Sequence, residues 1–533
     1  CGRCFVKYQY GCIQCTKRWI VSWSQPFIDA LSAPSITPLY KIRFWKPSTN
    51  AVGEDVTIYS NKGALRIGTA GVRIQGTAVI PSRWSVSFGG FDAELVGDFR
   101  PYKDMIVKGS LAIVECSFMG LASYQTIALG QLDQISGVRG VYRVRFKDIL
   151  SAFQSRIDAR YSTLLEYNKL FFTSANFATC AHTWVTGQTT LRVSDASIFE
   201  KSNVNGTVYC VPSSGDPFYM RWSSADTAAN TLTLTTGTAN HPSTASASNL
   251  AVGDKIYNAV RINGTPYSFL AKIVTSTGTG TNGPNDVLPA NWTVGAAIPA
   301  AMYDQSDAQA TSAYLKPSSG NYYNWDFVFN APLSNGIRSI LDQLANVGQW
   351  PVFRQDSFSW RGCTDPTGQV DTAPPVVSTI RDRDIIEIES HVMHDPSLAA
   401  VYGSTKLIYD VSGSSTTVTQ NPARSLPSQG QISRDMGAIY DPSGDEQKMA
   451  EGDIKRMQIW DMHHWSRLTL RVSLRFAVLV AGDVVQIASR YLYDLSTEAD
   501  KTYSMRRGMV VSTEYNISGR FCVIVVAIPP ILT

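Results

Sequence analysis

The sequence predicts a mainly β, multidomain protein with α+β parts, built as several small β-barrels or sandwiches around an α+β central domain. Three observations carry that expectation. A chain of 533 residues exceeds what one core organises, since a domain takes roughly 100–200 residues, so three or four domains are expected. Most apolar runs have strand length, are rich in β-branched and aromatic residues, and are broken by Gly, Pro or Asn. Helical spacing of apolar residues is confined to a few stretches.

The Cys-rich opening, residues 1–18, reads as an N-terminal arm. Residues 19–185 read as a β-rich domain in which IRFWKP, DVTIYS, ALRIGTA, VRIQGTAVIP and RWSVSFGG are strands joined by tight turns. FDAELVGDF, DMIVKGSLAIVECSFMG and YQTIALGQLDQISG continue them. In GVYRVRFKDILSAFQSRI a strand hands over to a closing helix, with Phe146, Ile149, Leu150, Phe153 and Ile157 at helical spacing. Residues 186–258 are thin in charge and rich in Thr, Ser and Ala, the texture of a small inserted β-module. Residues 259–390 read as the α+β centre. TPYSFLAKIVTSTG suggests one helix, and SNGIRSILDQLANVG a second, capped by Ser334 and stopped by Gly348. WPVFRQDSFSW has the shape of a hairpin. Residues 391–533 form a C-terminal β-barrel domain, where LTLRVSLRFAVLVAGDVVQIAS and GMVVSTEYNISGRFCVIVVAI read as strand pairs with Gly-Asp and Ser-Gly turns. No period of roughly 20–50 residues repeats, which excludes a solenoid or propeller.

Charged residues are only 17% of the chain, against roughly 25% in an ordinary soluble domain. Such a surface suits extensive subunit contact, and extracellular β-proteins share it. The net charge is +4 with no Lys/Arg stripe, so a dedicated nucleic-acid binder is not expected. No apolar stretch reaches membrane-spanning length, and no secretory leader pattern opens the sequence. Cys116, Cys180, Cys210, Cys363 and Cys522 stand singly among apolar neighbours, as buried reduced thiols do.

Catalytic motifs are missing from the sequence: it has no G-x-S-x-G and no HEXXH, and the glycine-rich GTGTGTNGP lacks the lysine of a phosphate loop. An enzyme is not expected. His391, His394 and Asp395 in SHVMHDP could form a metal corner, but turn histidines are the commoner meaning of such a pattern. His463 and His464, between Trp460 and Trp465, suggest an aromatic packing face. The strongest chemical pattern is CGRCFVKYQYGCIQC, in which Cys1, Cys4, Cys12 and Cys15 make two C-x2-C pairs. Four thiolates so spaced can surround one tetrahedral zinc or a cubane iron-sulfur cluster, and disulfides or free thiols are the alternative. A site closed by four protein ligands leaves no position for substrate, so it reads as a staple for the arm.

Several segments resemble the hub proteins of long-tailed bacteriophage tail tips and of gene transfer agents. GTPYSFLAKIVTSTGTGTNGPNDVLPANWTVG is similar to their run from an apolar helix through a Thr/Ser/Gly turn into N-G-x-x-D-V-L-P and a Trp-Gly region, here Asn282, Gly283, Asp286, Val287, Leu288, Pro289 and Trp292. GTANHPSTASASNLAVGDKIYNAV, IRSILDQLANVGQWPVFRQDSFSW, KLIYD, the C-terminal LVAGDVVQI to VIVVAI region and FDAELVGDFRPYKDMIVKGSLAIVECSFMG resemble further hub segments in the same order. The resemblance implies a structural virion protein at the tail tip, assembled in the host cytoplasm. It implies a homotrimer converting a sixfold tube to threefold symmetry. Its partners would be the distal tail or tail tube protein above, the central fibre or tip protein below and the tape-measure protein, with DNA only in transit. It also favours a 4Fe-4S cluster over structural zinc on Cys1, Cys4, Cys12 and Cys15, although in those hubs the ligands lie later in the chain. A β-rich receptor- or glycan-binding adhesin is the alternative reading.

Overall fold

The computed structural model of the chain describes residues 23–33, 37–45, 56–81, 85–87, 89–148, 177–199, 206–215, 218–234, 249–259, 304, 306–307, 311, 326–328, 348–354, 357–366, 368, 373–398, 401–408, 415–419, 430–435, 438–440, 459–493 and 502–529. These residues are mostly β, arranged in several sheets, as the sequence predicts.

A short helix α1 (Gln25–Leu31) opens the described chain, with Phe27 and Leu31, one turn apart, buried. Nine strands follow: β1 (Pro38–Trp45), β2 (Val56–Tyr59), β3 (Leu65–Gln75), β4 (Ala78–Ile80), β5 (Ser85–Ser87), β6 (Gly90–Gly97), β7 (Leu111–Phe118), β8 (Gln125–Val138) and β9 (Val141–Asp148). Seven of them run in the order β2-β1-β7-β8-β9-β6-β3, and β3 returns to β2 through Tyr59 and Arg66, which closes a barrel. Alternation fills it: on β6 the residues Phe91, Ala93 and Leu95 point inward. Phe146, expected on a closing helix, belongs instead to β9, where its ring stacks on Phe91 at 4.1 Å. The helical spacing that began at Phe146 is also compatible with a strand that buries every second residue, and packing decides between them.

The next unit comprises β10 (Phe177–Thr179), β11 (Thr190–Arg192), β12 (Gly206–Val211), β13 (Phe218–Asp226), β14 (Thr231–Leu234) and β15 (Lys255–Ala259). Their order is β10-β15-β12-β13-β14-β11, and a bridge between Cys180 and Val193 joins the two ends. Its core, centred on Trp184 and Trp222, is its own. Residues 177–185 pair within this sheet, before the boundary expected at 185/186.

Thirteen strands remain: β16 (Asp326–Val328), β17 (Gln349–Arg354), β18 (Ser357–Gly362), β19 (Val376–Arg381), β20 (Ile385–Val392), β21 (Ser404–Ile408), β22 (Ser415–Thr419), β23 (Gln431–Asp435), β24 (Ala438–Tyr440), β25 (Ser466–Val472), β26 (Val484–Tyr493), β27 (Thr502–Asn516) and β28 (Phe521–Ile528). β17 and β18 make the expected hairpin. The C-terminal sheet runs β19-β26-β27-β28-β25-β20, so β19 and most of β20 lie before the boundary expected at 390/391. β25 and β26 do not form the strand pair the sequence suggests. The chain leaves β25 through a 3-10 turn at Leu474–Phe476 and crosses the sheet, so β25 pairs β20 and β28 while β26 pairs β27 and β19. The helices expected within 265–278 and 334–348 lie outside the described residues, apart from Gly348.

The first barrel and the C-terminal sheet repeat one another. Strands β3-β6-β9-β8-β7 lie in the same order as β20-β25-β28-β27-β26, with the same chain sequence. Both units pass from β6 or β25 through a 3-10 turn to a glycine of positive φ, Gly109 (+90°) or Gly482 (+100°), before the next strand. The hydrogen bonds match atom for atom. Gly109 N–H donates to Leu132 O and Leu132 N–H to Ser110 O, each 2.8 Å; Gly482 N–H donates to Val510 O and Val510 N–H to Asp483 O, each 2.8 Å. Ser110 Oγ accepts from Val107 N–H at 3.2 Å, as Asp483 Oδ2 accepts from Val480 N–H at 3.0 Å. A register shift follows Leu132 in β8 and Val510 in β27. The sixth position differs: β1 is antiparallel to β7, whereas β19 is parallel to β26.

Gly482 is required by its turn. A Cβ there would fall 2.8 Å from Arg361 Cβ, and φ of +100° strains any side chain. Gly482→Ala is therefore expected to destabilise the C-terminal unit by more than about 1 kcal/mol, read as a lower urea midpoint.

Candidate functional site

Cys1, Cys4, Cys12 and Cys15 lie outside the described residues. The other sequence candidates are described, and the fold sends His391 to one partner and His394 to another. His391 Nε2 sits 3.2 Å from the Tyr503 hydroxyl. The His394 ring meets His464 edge-on at 4.5 Å, and burial pushes His464 down, with His394 adding to the effect. Asp395 is buried, pairs with Arg467 at 2.8 Å and accepts from Ser397 N–H, which fixes the turn after β20. Among the described residues no three His, Cys, Asp or Glu side chains gather as metal ligands. Trp460 and Trp465 do form a packed face, stacked at 3.5 Å, with each indole N–H donating to a backbone carbonyl.

The feature that joins distant parts of the chain is the seam between the two repeated units. At its end β27 leaves β26 and pairs with β3, setting Glu514 opposite Gln75, Tyr515 opposite Ile74 and Asn516 opposite Arg73. Gly76 N–H extends the ladder by donating to Thr513 O at 2.8 Å. Arg73 forks onto Glu514 with bonds of 2.6 and 2.8 Å, a geometry that fixes register even where solvent limits its energy. Tyr515 is buried, and its hydroxyl donates to Ile127 O at 2.7 Å across the seam. Tyr40 meets Ser518 at 2.9 Å, and Trp23, which donates to Thr126 O at 2.7 Å, packs its ring edge-on to Tyr515. One continuous apolar core therefore includes residues of both units, from Phe27 and Phe118 to Leu468 and Ile524.

The chemistry of the seam is that of a joint. Burial pushes Tyr40, Tyr515, Cys116 and Cys522 well up, so the phenols and thiols stay neutral and their nucleophilic forms are suppressed. A second buried network holds the β17–β18 hairpin to the C-terminal sheet. Arg361 donates to Asp307 at 2.8 Å and to Asp483 at 3.1 Å, with all three side chains almost wholly buried. Burial works against the Arg361 charge, but the two carboxylates outweigh it and hold its pKa above the usual value. Arg434 similarly forks onto buried Asp461, which also accepts from Thr405. A groove of about 560 Å3 between β3, β5, β6 and β9 is lined by charges that pair across or beside it, Arg73 with Glu514 and Lys147 with Asp133.

The repeat escaped the sequence reading although a signal was present. Val107-Lys108-Gly109-Ser110 and Val480-Ala481-Gly482-Asp483 share V-x-G followed by a small oxygen-bearing residue, each just before an apolar strand. Both strings sit in segments that read as β, but the same pattern recurs at Val204-Asn205-Gly206-Thr207 and Val411-Ser412-Gly413-Ser414, so it does not by itself align the units.

No protein-family model matches the chain, and no curated protein matches it. Among solved structures it is similar to the tail protein from Neisseria meningitidis MC58, at 9% identity and a TM-score of 0.37, covering 92% of this chain and 96% of that one. It is similar to the 43 kDa tail protein of prophage MuSo2 from Shewanella oneidensis, at 9% identity and a TM-score of 0.34, over 92% and 98% of the two chains. A chain of the native gene transfer agent virion overlaps at 13% identity and a TM-score of 0.17, over 44% of this chain and 83% of that one.

Proposed function

We propose that the protein is a structural component of a virion tail, and more narrowly the trimeric hub of the tail tip. The observation that carries the reading is the tandem of equivalent β-units in one chain. Three copies would present six such units, which is what a threefold part needs in order to seat against a sixfold tube. The ordered run of hub-like segments in the sequence points the same way. In this reading the ring of units meets the tube protein on one side and the fibre or tip protein on the other. Its axis gives passage to DNA and the tape-measure protein. The low charged-residue content of the chain suits a protein covered by neighbours. Light scattering on the purified chain tests the trimer: a mass of three chains supports it, and a single-chain mass at every concentration, with saturable glycan binding, would favour the adhesin.

The N-terminal arm is proposed to be stapled by a 4Fe-4S cluster on Cys1, Cys4, Cys12 and Cys15, with zinc as the alternative occupant. Anaerobically purified protein is expected to absorb near about 400 nm and to carry iron. Replacing Cys12 and Cys15 by serine should abolish both while leaving the β-units folded. One equivalent of zinc without iron would decide for the alternative.

A further inference from the structure

Two imidazole rings meet where β20 ends and β25 begins, and neither the seam nor the buried ion-pair networks use them. We infer that His394 and His464 form a binding site for a divalent transition metal of the copper or nickel class, with two protein ligands and its other positions open to water. The site stands apart from the tail reading and from the four cysteines of the N-terminal arm.

The backbone brings the two rings together and holds them there. β20 and β25 are antiparallel, and their last pair sets Val392 opposite Arg467. Beyond it Asp395 N–H donates to Trp465 O at 2.8 Å, so the ladder continues past the strands and brings positions 394 and 464 within reach of each other. Asp395 then fixes the turn. Its carboxylate pairs with Arg467 at 2.8 Å and accepts from Ser397 N–H at 2.8 Å, and its carbonyl accepts from Leu398 N–H at 3.1 Å. His394 enters that turn with φ of +52°, a left-handed conformation that few residues other than glycine adopt. On the other strand Trp465 is buried, its ring stacked on Trp460 and its indole N–H bonded to Ile459 O at 3.0 Å. The half-buried His464 is thereby carried on a rigid neighbour.

Every other polar group at this place is spent on holding the backbone, whereas the two imidazoles are not. Neither ring makes a hydrogen bond or an ion pair with a described residue; each meets only the other, at 77° and with centres 4.5 Å apart. A neutral imidazole carries one N–H and one nitrogen lone pair, and the lone pair is what a metal takes. Burial pushes His464 down, with His394 adding to the effect, so its imidazole is neutral at pH 7 and ready to ligate.

The separation of the rings selects the metal. A ligating nitrogen lies about 2.0–2.1 Å from the ion, which places each ring centre about 3.2 Å from it. Two such rings at the right angle of square-planar or octahedral coordination have centres about 4.5 Å apart, and at the tetrahedral angle about 5.2 Å. The observed 4.5 Å matches the right angle. Tetragonal sites of nitrogen and oxygen ligands are those of copper(II) and nickel(II), and imidazole suits both.

The full chain tests the proposal, with its reactive thiols capped by N-ethylmaleimide so that cysteine does not compete for metal. Nickel(II) is titrated calorimetrically into the wild type, His394→Gln, His464→Gln and His182→Gln, the last a histidine of the separate β10–β15 unit. The wild type and His182→Gln are expected to bind one equivalent more than either variant of the pair. One equivalent of copper(II) added to the wild type is expected to show two equatorial nitrogen couplings by electron paramagnetic resonance, a readout that needs no variant to fold. Retention of the extra equivalent by either variant of the pair, or a copper spectrum without two equatorial nitrogens, overturns the site and leaves the rings a packing contact.

Discussion

Arg361→Ala is expected to destabilise the C-terminal unit by about 3–5 kcal/mol, the effect of stranding buried charge. The Arg361 cation is a charge partner of both Asp307 and Asp483. Asp483 also accepts the Val480 N–H that shapes the turn into β26, so an unneutralised carboxylate there disturbs the turn itself. Urea titrations of the two proteins at neutral pH read the loss directly. Equal midpoints at neutral pH would mean that the network contributes nothing.

Tyr515→Ala should cost about 3–5 kcal/mol, because it empties a buried aromatic site in the core shared by both repeated units. Tyr515→Phe keeps the ring packed against Trp23 and removes only the bond to Ile127 O, so about 1 kcal/mol is expected. The alanine variant should also divide unfolding into two steps, since the seam is what couples the first barrel to the C-terminal sheet. Tryptophan fluorescence and circular dichroism, followed together in urea, would diverge in the alanine variant and coincide in the phenylalanine variant. A single unchanged transition in both would remove the seam from the account.

The sequence made the individual strands legible because alternation and turn residues are local signals. β6, the β17–β18 hairpin and the β27–β28 hairpin were all readable in this way. Pairing between distant segments was not. Arg73 and Glu514 are 441 positions apart, and nothing in either strand's composition selects the other. The transition from β25 to β26 looked like a hairpin because the Gly482-Asp483 turn resembles one, yet the 3-10 turn before it carries the chain past the neighbouring strand. The repeat was hidden for a further reason. The string Ile-Ser-Gly occurs at 135–137 and at 517–519, but the structurally equivalent positions are Ser136 to Glu514 and Val138 to Asn516. The second hairpin has a turn two residues longer, with only Arg139 and Gly140 between the paired ends of the first. The identical letters therefore align the wrong residues, and hydrogen-bond register was needed to find the right ones. The four-cysteine pattern is a local spacing signal whose residues lie outside the described ones, whereas the β3–β27 seam exists only once the sheets are assembled.

The central claim is that this chain supplies two equivalent units to a ring of three copies. End-on electron microscopy of the assembled protein tests it most directly, by counting β-units around the axis and chains per ring. The account predicts six units from three chains, the two units of each chain joined by the β3–β27 seam. A ring of six chains, or a particle holding one copy on its axis, would contradict it.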